Sequence, residues 1–519
     1  MAPRRGRSAK KRGRDKLTPG AQRAEPVQRE RMSSVDAAWW RMDRPHNPMV
    51  IIGVLRLHQA PTLKALRAVI GERLLANPRF RQRPVHHDGT DCWEFDVHFK
   101  LERHVVRHVL AAPAGDAQLE PLVGLHLTQA FASTHPLWQI TLVPMAGGEA
   151  AVLVRIHHCY ADGLALIRLL VGVSAGDAAA SLAAGTGPAP YAPGPPAAEA
   201  SSGLLDDLLG LLAEAVRAVG GGLQGARTPE QAPETDGPEA DLRVHAARYA
   251  RVAVALGAEV VRLAEMPDES ATPFKGKPGP VKCIAWSDTL PADQARQVAR
   301  TFGCSINAVL LSCVAGALGA QLRSLGTDPR KVEIRVLLPS PLRSARRASA
   351  QSGNHFGLVN LALPLGITNP VARAWEVHRR IEALAGTRQA LLMHLLLGVV
   401  GLLPSDLQNR ALDMLAGKAT AVITTVPGPP AARYLAGSRI DDIMFWVPQA
   451  GDIGIGISIM SYDGRFRIGL MSDSALLPQP RQVLDRALAE FARLLPLAQV
   501  MAEQQAIATG PPAEDSSAG

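Results

Sequence analysis

Little in this 519-residue chain points to nucleic acid, a disulfide framework or a membrane span. Aromatic residues make up only 4%, and no nucleic-acid-binding module is visible, which argues against recognition by base stacking. The five cysteines, Cys92, Cys159, Cys283, Cys304 and Cys313, are odd in number and form no Cys-x-x-Cys pair. That pattern predicts free thiols in a reducing compartment and argues against a zinc ribbon or a cystine scaffold. No apolar stretch follows the basic N-terminus, so no secretory signal is expected. The longest apolar run, residues 390–403, includes His394 and stops at Pro404. It falls short of the roughly 20 residues a bilayer span requires, and it predicts a buried or interfacial helix.

Net charge is also sparse once its placement is considered. The formal charge is +9, but residues 1–16, MAPRRGRSAKKRGRDK, hold eight Lys/Arg against one Asp. The remainder is therefore close to neutral. A Gly/Pro-broken run of like charge predicts a solvated, disordered tail. The sharper alternative is attraction to an anionic membrane surface, at about 1 kcal/mol per basic residue near it.

What is present is globular. At 47% hydrophobic and 20% charged, the chain is too long for one ordinary core, and two or more domains are expected. The reading is an α/β chain with mixed sheets: a disordered tail over 1–31, a first half over 32–175, an Ala/Gly/Pro-rich linker with two helical patterns over 176–270, a second half over 271–505, and a second disordered tail over 506–519. PMVIIGVLRL (48–57) reads as a strand. TLKALRAVIGERLLANP reads as a helix with Thr62 as N-cap and Pro78 as terminator. Gly147-Gly148 and Asp463-Gly464 each sit between apolar runs and predict hairpins. In KVEIRVLLP, Val332, Ile334, Val336 and Leu338 face one way, and Lys331, Glu333 and Arg335 the other. The helix from Pro480 is expected to bury Val483, Leu484, Ala487, Leu488 and Phe491.

The chemistry concentrates in RIHHCYADGLALIRLL, residues 155–170. Val152, Val154 and Ile156 share one strand face. Successive side chains alternate, so His157 and His158 point in opposite directions. One can meet a cavity while the other is held in the structure. Asp162 precedes an apolar helix and is a natural N-cap. Three readings compete. The plain one is a pair of core or surface histidines beside a capping Asp. A metal site is a second, although adjacent strand residues diverge and no third ligand stands at a familiar spacing. The third is a general base at a strand end, with Asp162 holding the loop, because imidazole accepts a proton near neutral pH.

His157-His158-x-x-x-Asp162-Gly163 resembles the HHxxxDG motif of the coenzyme-A-dependent acyltransferase superfamily, which includes chloramphenicol acetyltransferases and peptide-synthetase condensation domains. The flanks are similar to the bacterial wax ester synthase/diacylglycerol acyltransferase family. MSSVDAAWW (32–40) resembles its opening, and Pro136-Leu137-Trp138 its PLW motif. CSINAVLLSCVAGAL resembles its Asn-Asp helix, LLPSPLR its PxSxR segment, and VPGPPAARYLAGSRI its PGP loop. GIGISIMSYDGRFRIG resembles its closing hairpin. Two positions depart from the pattern: the Asn-Asp pair is Asn307-Ala308, and the Asn expected before the PGP loop is Thr425.

The resemblance implies two chloramphenicol-acetyltransferase-like halves with an active-site tunnel between them. It implies transfer of a long-chain acyl group from acyl-CoA to diacylglycerol or a fatty alcohol, with acyl-CoA as co-substrate and no metal or other cofactor. His158 would be the general base. His157, Asp162 and Gly163 would shape the site, and Asn307 or a backbone N–H would meet the oxyanion. Trp138, Pro427 and Gly428 are the candidate substrate-binding residues, with core packing the plainer role for Trp138. The implied setting is cytoplasmic, with peripheral attachment to the inner membrane face or lipid inclusions and no nucleic-acid partner. Three alternatives stand beside it, one a condensation-type domain working on carrier proteins, which would share His158 and Asp162, although no carrier or adenylation segment is visible. GVSAG (172–176) matches a nucleophile elbow and would make Ser174 the nucleophile of a hydrolase. The two departures would also suit a catalytically weakened lipid-binding or droplet-coating protein.

Overall fold

The computed structural model describes residues 29–183, 257–341 and 356–508, apart from isolated positions within those spans. The basic run over 1–16, the helical pattern over 204–223, most of that over 243–266, and Leu342-Arg343 of the PxSxR-like segment lie outside the described residues.

Two mixed sheets organise the chain. The first has the spatial order Arg433–Leu435, Ser438–Trp446, Val50–Leu57, Ala150–His157, Trp138–Pro144, Val105–Arg107. Its pairs are antiparallel except the last, which is parallel. The second runs Phe356–Leu363, Ile334–Pro341, Ala421–Pro427, Ile455–Tyr462, Arg465–Asp473, Lys282–Trp286. Its two parallel pairs flank Ala421–Pro427. A small third sheet joins Arg29–Arg31, Thr90–Phe95 and Gln82–His87.

The central strands are apolar on both faces because helices or the other half cover them. That accounts for Val50–Leu57, which is buried along nearly its whole length. It also accounts for Arg335, which is on the polar face of its strand pattern and is buried. Its Nη1 donates to the Pro267 carbonyl at 2.8 Å and its Nε to Glu333 at 3.1 Å. Both predicted hairpins form. Asp463 and Gly464 have φ of 46° and 74°, the left-handed pair a two-residue turn requires. Thr62 caps Leu63–Val69 through the Ala65 N–H at 3.1 Å, but the helix widens into a π-turn over Ile70–Leu74 and ends before Pro78.

Residues 390–400 of the apolar run lie in helix Gln389–Val400, which buries Met393, His394, Leu395, Leu396 and Val400. It packs on Phe356–Leu363 and on Ser34–Arg41. Among the described residues one single helix, Ile306–Ser324, is long and apolar enough to cross a membrane, and most of it is buried in the second core. The final helix buries Val483, Leu484, Ala487 and Phe491 as its pattern predicts, with Leu488 partly covered. It continues through Ala508, so the stretch expected to be a tail from 506 begins as helix.

One feature of the topology has no sequence signal. Ser438–Trp446 lies late in the chain, yet it adds to the first sheet beside Val50–Leu57. The boundary at 271 therefore divides the chain without dividing the sheets. An edge strand exposes unpaired N–H and C=O groups. Here the second half supplies the strand that covers that edge.

Candidate active site

The motif strand Ala150–His157 is flanked by Val50–Leu57 and Trp138–Pro144. The PLW segment is its anchor. The His157 N–H donates to the Leu137 carbonyl at 3.0 Å. The Leu137 N–H donates to the Tyr160 hydroxyl at 3.0 Å, and that hydroxyl donates to the Gln82 carbonyl at 2.6 Å.

The two histidines have different surroundings. His157 is fully buried. Its Nδ1 accepts the Cys159 N–H at 3.2 Å, so the ring proton sits on Nε2, which donates to Asp43 Oδ1 at 3.1 Å. The same Asp43 oxygen accepts the Met49 N–H at 2.6 Å. The Met49 carbonyl in turn accepts the His158 N–H at 2.7 Å. One carboxylate thus holds the His157 ring and, through Met49, the backbone that carries His158.

His158 is 5% exposed. It stacks on Trp39 with centroids 4.0 Å apart and planes 15° apart, and Phe356 lies tilted at 6.0 Å. Trp39 is presented by Ser34–Arg41, whose N-cap Ser33 accepts from the Asp36 N–H at 3.1 Å. Two aromatic faces restrict the imidazole's rotation and reduce its contact with water. Burial pushes the Cys159 thiol and the Tyr160 phenol well above their usual ranges, with Asp36 and Asp43 adding to the effect at Cys159. Both groups beside the histidines are therefore neutral, and neither is poised as a nucleophile.

Asp162 is the N-cap its position predicts, accepting the Ala165 N–H at 2.8 Å. Gly163 opens the helix Gly163–Val173 against the second half, where a Cβ would stand 3.3 Å from Val426 Cγ2. Val426 belongs to Ala421–Pro427, and its neighbour Thr425 donates to Asn307 Oδ1 at 2.7 Å. The two departures from the family pattern thus meet at one place. Thr425 bonds Asn307, and Ala308 beside it is fully buried, its N–H donating to the N-cap Ser305 at 3.1 Å. Pro427 is exposed. Gly428 lies on Ile455–Tyr462, its N–H donating to the Ser461 carbonyl at 3.0 Å. A Cβ there would fall 2.2 Å from that oxygen, so only glycine permits this approach.

An apolar cavity of about 110 Å³ runs under the motif helix. It is lined from the first sheet by Ile51, Gly53, Trp138, Val154 and Ile156 among others, and from the helix by Gly163, Leu166 and Leu170. It reaches the second half at Val426 and Met460. The tunnel expected between the halves is thus, in this cavity, a space inside the first half that the second half closes. His158 does not line it, whereas Gly163 of the same motif does. Trp138 is both packing and lining: its Nε1 donates to the Phe80 carbonyl at 2.8 Å while its ring borders the cavity.

The nucleophile-elbow reading of Ser174 is overturned. LIRLLV, the supposed strand, is helical, and Ser174 is the fully buried C-cap of that helix. Its hydroxyl donates to the Leu170 carbonyl at 2.6 Å and accepts from Arg433 Nε at 3.0 Å. Asp43, Met49 and Phe356 were not singled out from the sequence. Trp39 lies in a quoted motif but carried no assigned role. No spacing signal could have paired Asp43 with His157, which lie 114 residues apart.

Comparison with known proteins agrees with this geometry. The description of the wax ester synthase/diacylglycerol acyltransferase catalytic domain matches residues 32–310, and that of the WS/DGAT C-terminal domain matches 352–495. A probable diacylglycerol O-acyltransferase of Mycobacterium tuberculosis (strain H37Rv) is 25% identical over 461 residues, covering 85% of this chain and 90% of its own. A putative one from the same strain is 27% identical over 508 residues, covering 92% and 100%. In fold, the chain is similar to the wax ester synthase/diacylglycerol acyltransferase from Marinobacter aquaeolei VT8, with a TM-score of 0.62, 16% identity, and coverage of 91% and 100%. It is also similar to the first condensation domain of the calcium-dependent antibiotic synthetase, with a TM-score of 0.54, 16% identity, and coverage of 92% and 97%. Matched over both of its domains, the chain belongs to the wax ester synthase/diacylglycerol acyltransferase family and is an acyl-transferring enzyme.

Proposed function

We propose that the protein transfers a long-chain fatty acyl group from acyl-CoA to the free hydroxyl of diacylglycerol, with His158 as general base. The observation that carries this is the division of labour between the histidines: His157 is tied to Asp43, and His158 lies against Trp39 and Phe356, in the same motif as the cavity-lining Gly163. His158 takes the acceptor's proton as its oxygen attacks the thioester carbonyl. The tetrahedral oxyanion collapses, the C–S bond breaks, and the CoA thiolate leaves with the proton returned by the imidazolium. A thioester is already activated, so no acyl-enzyme is required. Positioning, one base and one oxyanion donor suffice. Asn307, its carbonyl oxygen engaged by Thr425, offers its amide hydrogens to that oxyanion. Asp162 caps the helix and moves no proton.

A fatty alcohol presents the same hydroxyl. Purified protein given palmitoyl-CoA with equal amounts of diacylglycerol and hexadecanol is expected to release CoA and to form triacylglycerol as the major ester. Wax ester as the major product would reassign the acceptor, and no CoA release with either would refute the reading.

Because such acceptors are insoluble, we place the protein at the cytoplasmic membrane face or on lipid inclusions, held peripherally. The basic run over 1–16 supports this. Deleting residues 1–30 is expected to weaken binding to anionic vesicles, with the difference vanishing at high salt. Unchanged sedimentation with vesicles would leave the tail without that role.

A further inference from the structure

The floor of the cavity is a grid of side chains with one position left bare. Three rungs cross the first sheet in register. Trp138, Ile156 and Ile51 form the rung at the histidine end. Ile140, Val154, Gly53 and Phe445 form the middle one, and Val152, Leu55 and Ile443 the far one. Each of these positions carries a bulky apolar side chain except Gly53.

Nothing in the backbone asks for glycine there. Gly53 has no positive φ. A Cβ would meet only the Met444 carbonyl, at an ordinary 3.8 Å. Glycine inside a strand lowers stability and leaves nothing to pack. What its absent side chain does is leave open the middle of a wholly apolar space. Gly53 and its cross-strand partner Val154 are partly exposed in otherwise buried stretches of central strand, and the surface they expose borders the cavity. Such a space excludes water and suits an apolar ligand.

From the first rung to the third is four residues, or about 13 Å, the length of roughly ten extended methylene groups. The motif helix forms the opposite wall with Gly163, Leu166, Ile167, Leu169, Leu170 and Val173. We propose that this cavity takes an unbranched alkyl chain of a substrate and that Gly53 sets how long a chain is accepted. The proposal rests on the acyl-transfer reading and deepens it. The chain can belong to the acyl donor or to the acceptor, since both present the same methylene surface.

The test is a length series on Gly53→Val and Gly53→Phe. In one arm, donors from hexanoyl-CoA to stearoyl-CoA are paired with a fixed acceptor. In the other, alcohols from hexanol to octadecanol are paired with a fixed short donor. In Gly53→Phe the ratio of kcat/KM for the longest to the shortest chain is expected to fall on the order of tenfold or more, with a smaller fall in Gly53→Val. The arm that shows the fall identifies whose chain is held. Ile140→Phe narrows the same rung from the next strand and is expected to act alike, should Gly53→Phe fail to fold. Equilibrium binding of palmitoyl-CoA against hexanoyl-CoA and of hexadecanol against hexanol reads the same preference without turnover. Flat ratios in both arms, with unchanged binding, would overturn the proposal. Wild-type protein with no acyl transfer at any length would instead refute the reading beneath it, and the binding ratios would then decide the cavity's role alone.

Discussion

Replacing His158 with alanine is expected to cut acyl transfer by roughly 10²–10⁴-fold, the range a positioned general base supplies. The loss should fall on kcat, because the imidazole acts on the hydroxyl proton in the transition state and does not hold the alkyl chains. The ring's stacking on Trp39 contributes about 0.5–1.5 kcal/mol, so the variant should melt slightly earlier and remain folded. CoA release followed with a thiol reagent, alongside circular dichroism, measures both. Turnover unchanged in a folded variant would remove His158 from the mechanism, and with it the assignment of the site.

Asp43→Ala is the second large effect, through geometry. Asp43 Oδ1 accepts from both His157 Nε2 and the Met49 N–H. Without it, a fully buried imidazole N–H loses its acceptor, and the Met49 peptide loses one of the bonds that fix it. That peptide's carbonyl holds the His158 N–H. A buried donor left unsatisfied costs about 1–3 kcal/mol, and a base displaced by an ångström can cost up to roughly 10²-fold in rate. The expected result is a lower melting temperature and a fall in kcat with KM little changed, because Asp43 is assigned no substrate contact. Asp43→Asn keeps an acceptor oxygen in place and should recover most of both. An Asn variant as impaired as the Ala variant would show that the negative charge is what matters.

These two expectations differ in origin. The histidine pair stood out from the residues alone, by the apolar alternation before it, the capping Asp162 after it and Gly163 beyond, and the family resemblance then pointed to His158 as the base. The alternation and the cap are local patterns, and they placed the strand end, the helix start and the opposite directions of the two histidines. The same kind of pattern located the hairpin at Asp463-Gly464, the Thr62 cap and the buried face of the last helix. It says which residues share a face and not how deeply that face is covered, as at Arg335, which lies buried under other chain. At Ser174 it offered two readings, the helix that starts after Asp162 and a nucleophile elbow, and the structure has the helix.

Periodicity, caps and turn residues act over a few positions, so the sequence by itself determined the local elements and the motif. It did not determine which distant residues meet. The Asp43–His157 bond spans 114 positions and the Thr425–Asn307 bond 118. The Trp39 stack on His158 and the strand Ser438–Trp446 at the edge of the first sheet depend in the same way on how the elements pack. Gly53 is the clearest case. In the sequence it is a weak point in a good strand, and only the register of four strands shows that the missing side chain opens a cavity. Contacts of this kind follow from topology, which is settled by the summed burial of the whole chain and leaves no spacing to read in advance.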